Sequence, residues 1–167
     1  LVSLWGIETY FGKHIGKMDI LRSLLSLAYD GRRQEFFLKE FKLALKILED
    51  GHVSQKDFRG SWAGAFGQTQ FMPSTFHKFA IDFDNDNKIN LFKKSDALAS
   101  GANYLNQVGW NNNLLWGEEV KIIITDKLKN LSKKKKYKTK KFWEKNGISF
   151  KNNYNDRVQM RLVIPDL

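Results

Sequence analysis

Apolar residues recur at helical spacing through the first two thirds of the chain, and the period then changes. Leu1, Leu4, Trp5, Glu8 and Phe11 fall on one helical face, with Gly12 as the stop. Asp19 is placed to cap a second helix, ILRSLLSLAYD, that ends at Gly31. Residues 32–50 predict a longer amphipathic helix with Phe36, Phe37, Phe41, Ala44, Leu45 and Leu48 on its apolar face. Ser54 and Asp57 resemble a capping box for a short helix. GSWAGAFGQTQ is a Gly-rich loop, and Pro73 suits the first turn of a helix reaching about Ile81. An acidic loop covers 82–96, and Ser95 is expected to cap a helix through Val108, stopped by Gly109. Beyond Trp116, VKIIIT (120–125) reads as a strand, 127–141 as an exposed Lys-rich stretch, KTKKFWEKNG as a short helix and VQMRLVI as a second strand. The pattern predicts a mainly α protein: a helical domain over 1–117, then the start of a small α+β lobe over 118–167.

Composition narrows the classes. There is no Cys, which excludes disulfides and thiolate metal sites, and thirteen Phe with five Trp indicate a folded core. No apolar run approaches the ~20 residues of a membrane helix. Residues 1–117 carry 14 Lys and Arg against 12 Asp and Glu, whereas 118–167 carry 14 against 6, so most of the net charge of +10 belongs to the lobe. The run KKKKYKTKK has no nucleic-acid-binding module around it and reads as a solvated basic face, so no nucleic-acid partner is expected. His14, His52 and His77 lack metal-ligand spacing. The chain opens on LVSLWGIETYFG and closes on RLVIPDL, and both ends look cut, as in a domain fragment.

Two features carry candidate chemistry. A carboxyl on an apolar stripe loses hydration, which favours its neutral form and suits a general acid; by spacing, Glu8 is such a group. The alternative is a structural role for Glu8 beside Arg22 or Arg32, or on backbone N–H groups. In the loop RGSWAGAFGQTQFMPST, Ser61, Gln68, Thr69 and Gln70 offer neutral donors and acceptors, and Trp62, Phe66 and Phe71 offer flat apolar faces, a mixture suited to sugars. A tight helix–helix turn with core aromatics fits the same residues.

The segments WGIETYFG, LAYDGRR, GSWAGAFGQTQFMPSTF, DFDNDNKINLF, ANYL and GW occur here in the order found in the membrane-bound lytic murein transglycosylase B family. The chain resembles that family densely over residues 1 to about 117. The resemblance implies a lysozyme-like α domain and non-hydrolytic cleavage of the MurNAc–GlcNAc bond of peptidoglycan. It matches Glu8 to the catalytic glutamate, and Ser61, Gln70 and Tyr104 to residues lining the glycan cleft. The implied reaction uses one carboxyl twice, first as acid and then as base, and forms 1,6-anhydroMurNAc with no cofactor. A lysozyme-type hydrolase and a non-catalytic glycan-binding module are the alternatives. The resemblance also implies a periplasmic monomer acting on glycan strands, tethered to the outer membrane through a lipid anchor upstream of this segment.

Asp82, Asp84 and Asp86 alternate as in the opening of an EF-hand loop, with Asn87 where Gly is usual and Lys93 where the closing Glu would stand. A solvated acidic turn would look the same. The resembling family closes a longer loop with a later Asp, which matches Asp96. On that basis Asp82, Asp84, Asp86 and Asp96, with the Lys88 carbonyl, are expected to hold a structural Ca²⁺.

Overall fold

A computed structural model describes residues 1–113, 115 and 117–165, and its regular structure is mainly helical. It divides into two compact units, Leu1–Asn111 and Asn112–Leu167. No helix among the described residues is long and apolar enough to cross a membrane.

In the first unit, α1 (Val2–Thr9) leads into a short strand β1 (Met18–Asp19) and α2 (Ile20–Tyr29). Asp19 accepts the Arg22 N–H at 3.0 Å, the cap expected from sequence. The α3 helix (Gln34–Glu49) follows. Strand β2 (Arg59–Gly60) pairs antiparallel with β1, Met18 opposite Gly60, and bridges at Gly60–Phe66 and Phe66–Phe71 extend this small sheet into the Gly-rich loop. Helices α4 (Pro73–Phe79) and α5 (Lys94–Gln107) complete the unit. Its core gathers Ile20, Leu24, Ala44, Ile47, Phe58, Phe66, Phe71, Phe76, Phe79 and Leu91.

The buried face of α3 follows the expected one in part. Ala44 is fully buried and Phe37, Phe41 and Leu48 pack against the core, as expected, and Ile47 joins them, whereas Phe36 and Leu45 are exposed. Phe36 is covered instead by the Arg33 guanidinium, 4.1 Å from its ring. Glu40 joins the buried face because its Oε2 accepts the Ser74 N–H at 2.9 Å, satisfying one open donor of the first turn of α4. Two caps also differ. Ser54–Asp57 closes a hydrogen-bonded turn, not a helix, since the chain must bury Phe58 and enter β2 immediately afterwards. Helix α5 starts from Lys93, which leaves Ser95 inside its first turn.

The second unit contains α6 (Asp126–Lys133), started by Thr125 Oγ1 accepting from Leu128 N at 3.3 Å, and α7 (Lys140–Glu144). Strands β3 (Lys138–Thr139) and β4 (Gln159–Met160) pair antiparallel. Leu128, Trp143 and Ile148 form its core, and Trp143 donates its indole N–H to Met160 O at 3.0 Å. Residues 120–125 are not a strand: Val120 and Ile122 pack against this core while Ile123 is exposed, but no ladder forms with any described segment. The expected strand over VQMRLVI is limited to Gln159–Met160.

Candidate active site

Helix α1 ends abruptly beside Glu8. Tyr10 and Phe11 both take left-handed backbone angles, φ 50° and 60°, an uncommon pair for residues with a Cβ. The expected apolar stripe through Glu8 is not what the helix buries: Glu8 is exposed, and the one buried residue of α1 is its neighbour Thr9. Thr9 Oγ1 donates to Gln68 O at 2.8 Å and accepts the Gly12 N–H at 3.0 Å, which stabilises the tight exit from the helix. Trp5, one turn before Glu8, donates its indole N–H to Gln68 Oε1 at 3.1 Å.

The Gly-rich loop is built to pack closely. Gly64 and Gly67 have φ of 93° and 73°, and a Cβ on either would lie within 2.4 Å of Leu24 or Leu91 side-chain carbons. Ser61 closes the first turn of the loop, its Oγ accepting from Ala65 N at 3.0 Å. Gln70 (φ 50°) donates its amide N–H groups to Ile15 O and Gly67 O, both at 3.0 Å, and among the described residues its Oε1 accepts no hydrogen bond. Gly16 lies directly over the Gly60–Ser61 peptide. The segment after α1 is therefore fastened to the loop along its length, which brings Glu8, Ser61 and Gln70 onto one substructure. Tyr104 is half-buried, its ring 5.9 Å from Phe71 and 5.0 Å from Phe79, so it joins through the residue that follows Gln70. Of the loop's exposed rings, Trp62 is 68% accessible. Gln68 and Thr69, expected among the sugar-facing groups, are buried.

In the acidic loop, Asp82, Asp84 and Asp86 bring carboxylate oxygens within 4.8 Å of one another. Asp82 accepts the N–H groups of Asp86 and Asn87, and Asp86 accepts that of Lys88, with Asn85 and Asn87 left-handed between them. Asp96 stands apart from the three. It is fully buried and turned to the loop's own amides, Phe83 N at 3.3 Å and Asn90 N at 2.8 Å. Lys93 reaches the cluster, its Nζ 2.6 Å from Asp86 and 3.4 Å from Asp84. That ammonium holds the Asp86 carboxyl below the usual carboxylate range, against the opposing pull of partial desolvation, and Asp86 in turn raises Lys93. Three convergent carboxylates are a donor set suited to a hard divalent cation, with Lys93 as a competing charge.

Sequence reasoning did not single out Thr9, Glu40 or the interior role of Gln68. Thr9 had no signal beyond its place beside Glu8, and the pair of glutamines in GQTQ does not say which one faces inward.

Residues 1–167 match the family model of the transglycosylase SLT domain. The chain belongs to this family. Among curated SLT relatives, membrane-bound lytic murein transglycosylase B of Escherichia coli is 40% identical over 111 residues, 66% of this chain and 31% of that protein. SltB3 of Pseudomonas aeruginosa, solved in complex with NAG-NAM-pentapeptide, superposes with a TM-score of 0.91 at 39% identity, over 98% of this chain and 45% of that one. Slt35 of Escherichia coli, solved in complex with calcium, gives a TM-score of 0.80 at 31% identity, over 97% of this chain and 51% of that one. The mainly α, lysozyme-like fold expected from sequence is the fold shared with these SLT structures. The chain spans about half or less of the length of the relatives it matches.

Proposed function

We propose that this SLT domain is the catalytic core of a periplasmic lytic transglycosylase that cleaves the MurNAc–GlcNAc bond of peptidoglycan. The observation that carries the reading is the fastening of the Glu8 helix end to the loop bearing Ser61 and Gln70, in a chain of this family. Glu8 acts as the single acid/base. It protonates the glycosidic oxygen as the C1–O bond breaks through an oxocarbenium-like transition state. The resulting carboxylate takes the proton of the C6 hydroxyl of the same MurNAc, whose oxygen bonds to C1. The products are 1,6-anhydroMurNAc and a free GlcNAc hydroxyl, with no water consumed. Tethering of the nucleophile to the substrate gives it a high effective concentration. Residues 1–17 and 60–72 contain no Asp or Glu besides Glu8, in keeping with one carboxyl serving both steps. Gln70 Oε1 and the Ser61 hydroxyl bind hydroxyl or N-acetyl groups, and Tyr104 supports that wall of the cleft.

The same reading gives the acidic loop a structural Ca²⁺, held by Asp82, Asp84 and Asp86 with the Lys88 carbonyl. Asp96 organises the loop from inside through its amides. The calcium supplies no catalytic step.

The test is digestion of purified sacculi by the intact protein and its Glu8→Gln variant, with mass spectrometry of the products. The expected product ends are lighter by one water than hydrolysed ends, and the variant yields none. Hydrolysed ends would instead assign a lysozyme-type hydrolase, and full activity of the variant would remove Glu8 from the mechanism.

A further inference from the structure

Helix α1 has little of its own to hold it in place. It has eight residues and no side-chain N-cap, and only Thr9 among them is buried. So short a helix is marginal in isolation, and Leu4 and Trp5, only half-buried, give it a limited apolar hold. A polar hold comes from Gln68. This side chain is 5% exposed and bonds in two directions. Toward α1, its Oε1 accepts from Trp5 Nε1 at 3.1 Å and its carbonyl accepts from Thr9 Oγ1 at 2.8 Å. Away from α1, its Nε2 donates to Phe92 O at 2.6 Å and its backbone N–H to Leu91 O at 2.8 Å. Gly12 permits this approach, since a Cβ there would lie 2.4 Å from Gln68 Oε1. The two bonds on the α1 side grip residues immediately after Glu8 and one turn before it. Rotation or sliding of the helix end would break both and leave buried polar groups unpaired.

We propose that Gln68 is a positioning residue for Glu8, clamping the helix end that carries the acid to the segment Leu91–Phe92. This rests on the reading of Glu8 as the acid/base. A displacement near 1 Å at a reacting group costs on the order of 100-fold in rate, so the clamp acts on turnover more than on binding. Gln68→Met preserves volume and removes both side-chain bonds. Thr9→Val removes the hydroxyl that Thr9→Ser keeps.

The experiment measures kcat and KM of the intact protein on soluble glycan strands, at a temperature where circular dichroism shows each variant folded. Gln68→Met and Thr9→Val are expected to lower kcat about tenfold or more, with KM within about threefold, while Thr9→Ser stays within about threefold of the parent in both. Wild-type kcat in Gln68→Met, whatever its melting temperature, would make the residue a packing element and overturn the proposal. So would a loss confined to KM, or a Thr9→Ser variant as slow as Thr9→Val. If Gln68→Met does not fold, Trp5→Phe, which removes the indole N–H bonded to Gln68 Oε1 and keeps an aromatic ring, is measured in its place, and wild-type kcat there overturns the clamp. Glu8→Gln run alongside separates the two claims: its full activity removes the acid/base reading, whereas an inactive Glu8→Gln beside a fully active Gln68→Met removes only the clamp.

Discussion

Glu8 and Glu40 have similar sequence surroundings and opposite fates. Both lie on helices among apolar neighbours, yet Glu8 is exposed and Glu40 is 1% accessible, its Oε2 on the Ser74 N–H. Helical spacing says which side chains share a face, not whether another helix end needs an acceptor there, so the interior acid was not legible in the sequence. Glu40→Ala leaves that amide unpaired beside a cavity and is expected to cost about 2–3 kcal/mol. Thermal melting should drop by roughly 10 °C, and Glu40→Gln, which keeps an acceptor oxygen, by far less. An unchanged melting temperature for Glu40→Ala would show the contact to be incidental. Lys93 makes the complementary case. Its ammonium lies where a divalent ion would balance Asp84 and Asp86. Lys93→Met is expected to tighten calcium binding about tenfold in a calorimetric titration, a gain of ~1.4 kcal/mol, while lowering the calcium-free melting temperature. Equal affinity in parent and variant would mean that the lysine does not compete.

Among the elements, α2 was legible because Asp19 and Gly31 punctuate it, and α4 because Pro73 opens it. The buried face of α3 was legible only in part: a stacked arginine keeps Phe36 at the surface, and α4 recruits Glu40. The strand expected at 120–125 has the β-branched composition of a strand, but a strand also needs a partner, which no local pattern supplies. For the acidic loop, the alternating Asp spacing was legible, whereas the turning of Asp96 toward Phe83 and Asn90 was not, since it depends on how α5 meets the loop. The Asp86–Lys93 pair gives this loop a pH window. Asp86 is depressed in the folded state, so its contribution is present above the ordinary aspartate value of about 4 and is lost as pH falls through its lowered folded value. Lys93 is raised, so its contribution is present below the ordinary lysine value of about 10.4 and is lost as pH rises through its raised folded value. Amide chemical shifts of Asn87 and Lys88 should therefore hold steady from about pH 5 to 9 and move at both extremes. Movement centred near neutral pH would assign the loop's order to other groups.

At the scale of the whole chain, the two units differ in what holds them together. Leu1–Asn111 has a core of ten buried apolar residues drawn from three helices and the segments between them, whereas Asn112–Leu167 relies on Leu128, Trp143 and Ile148 with partly buried neighbours. A unit this small buries a lower fraction of its surface and has less to offset chain entropy. Residues 118–167 also carry 14 Lys and Arg against 6 Asp and Glu, so like charges repel across a small body. Both effects place the melting of the second unit below that of the first. Calorimetry is expected to resolve two transitions, with added salt raising the lower one more because screening weakens the repulsion. Trp143 assigns it: the ring is 1% exposed and its indole N–H is bonded to Met160 O, so its removal takes out the centre of that core. Trp143→Ala, at a cost of about 3–5 kcal/mol, should abolish the lower transition and leave the upper one in place. If the variant instead shifts one single transition, the two cores unfold together and the stability of the first unit depends on the basic lobe.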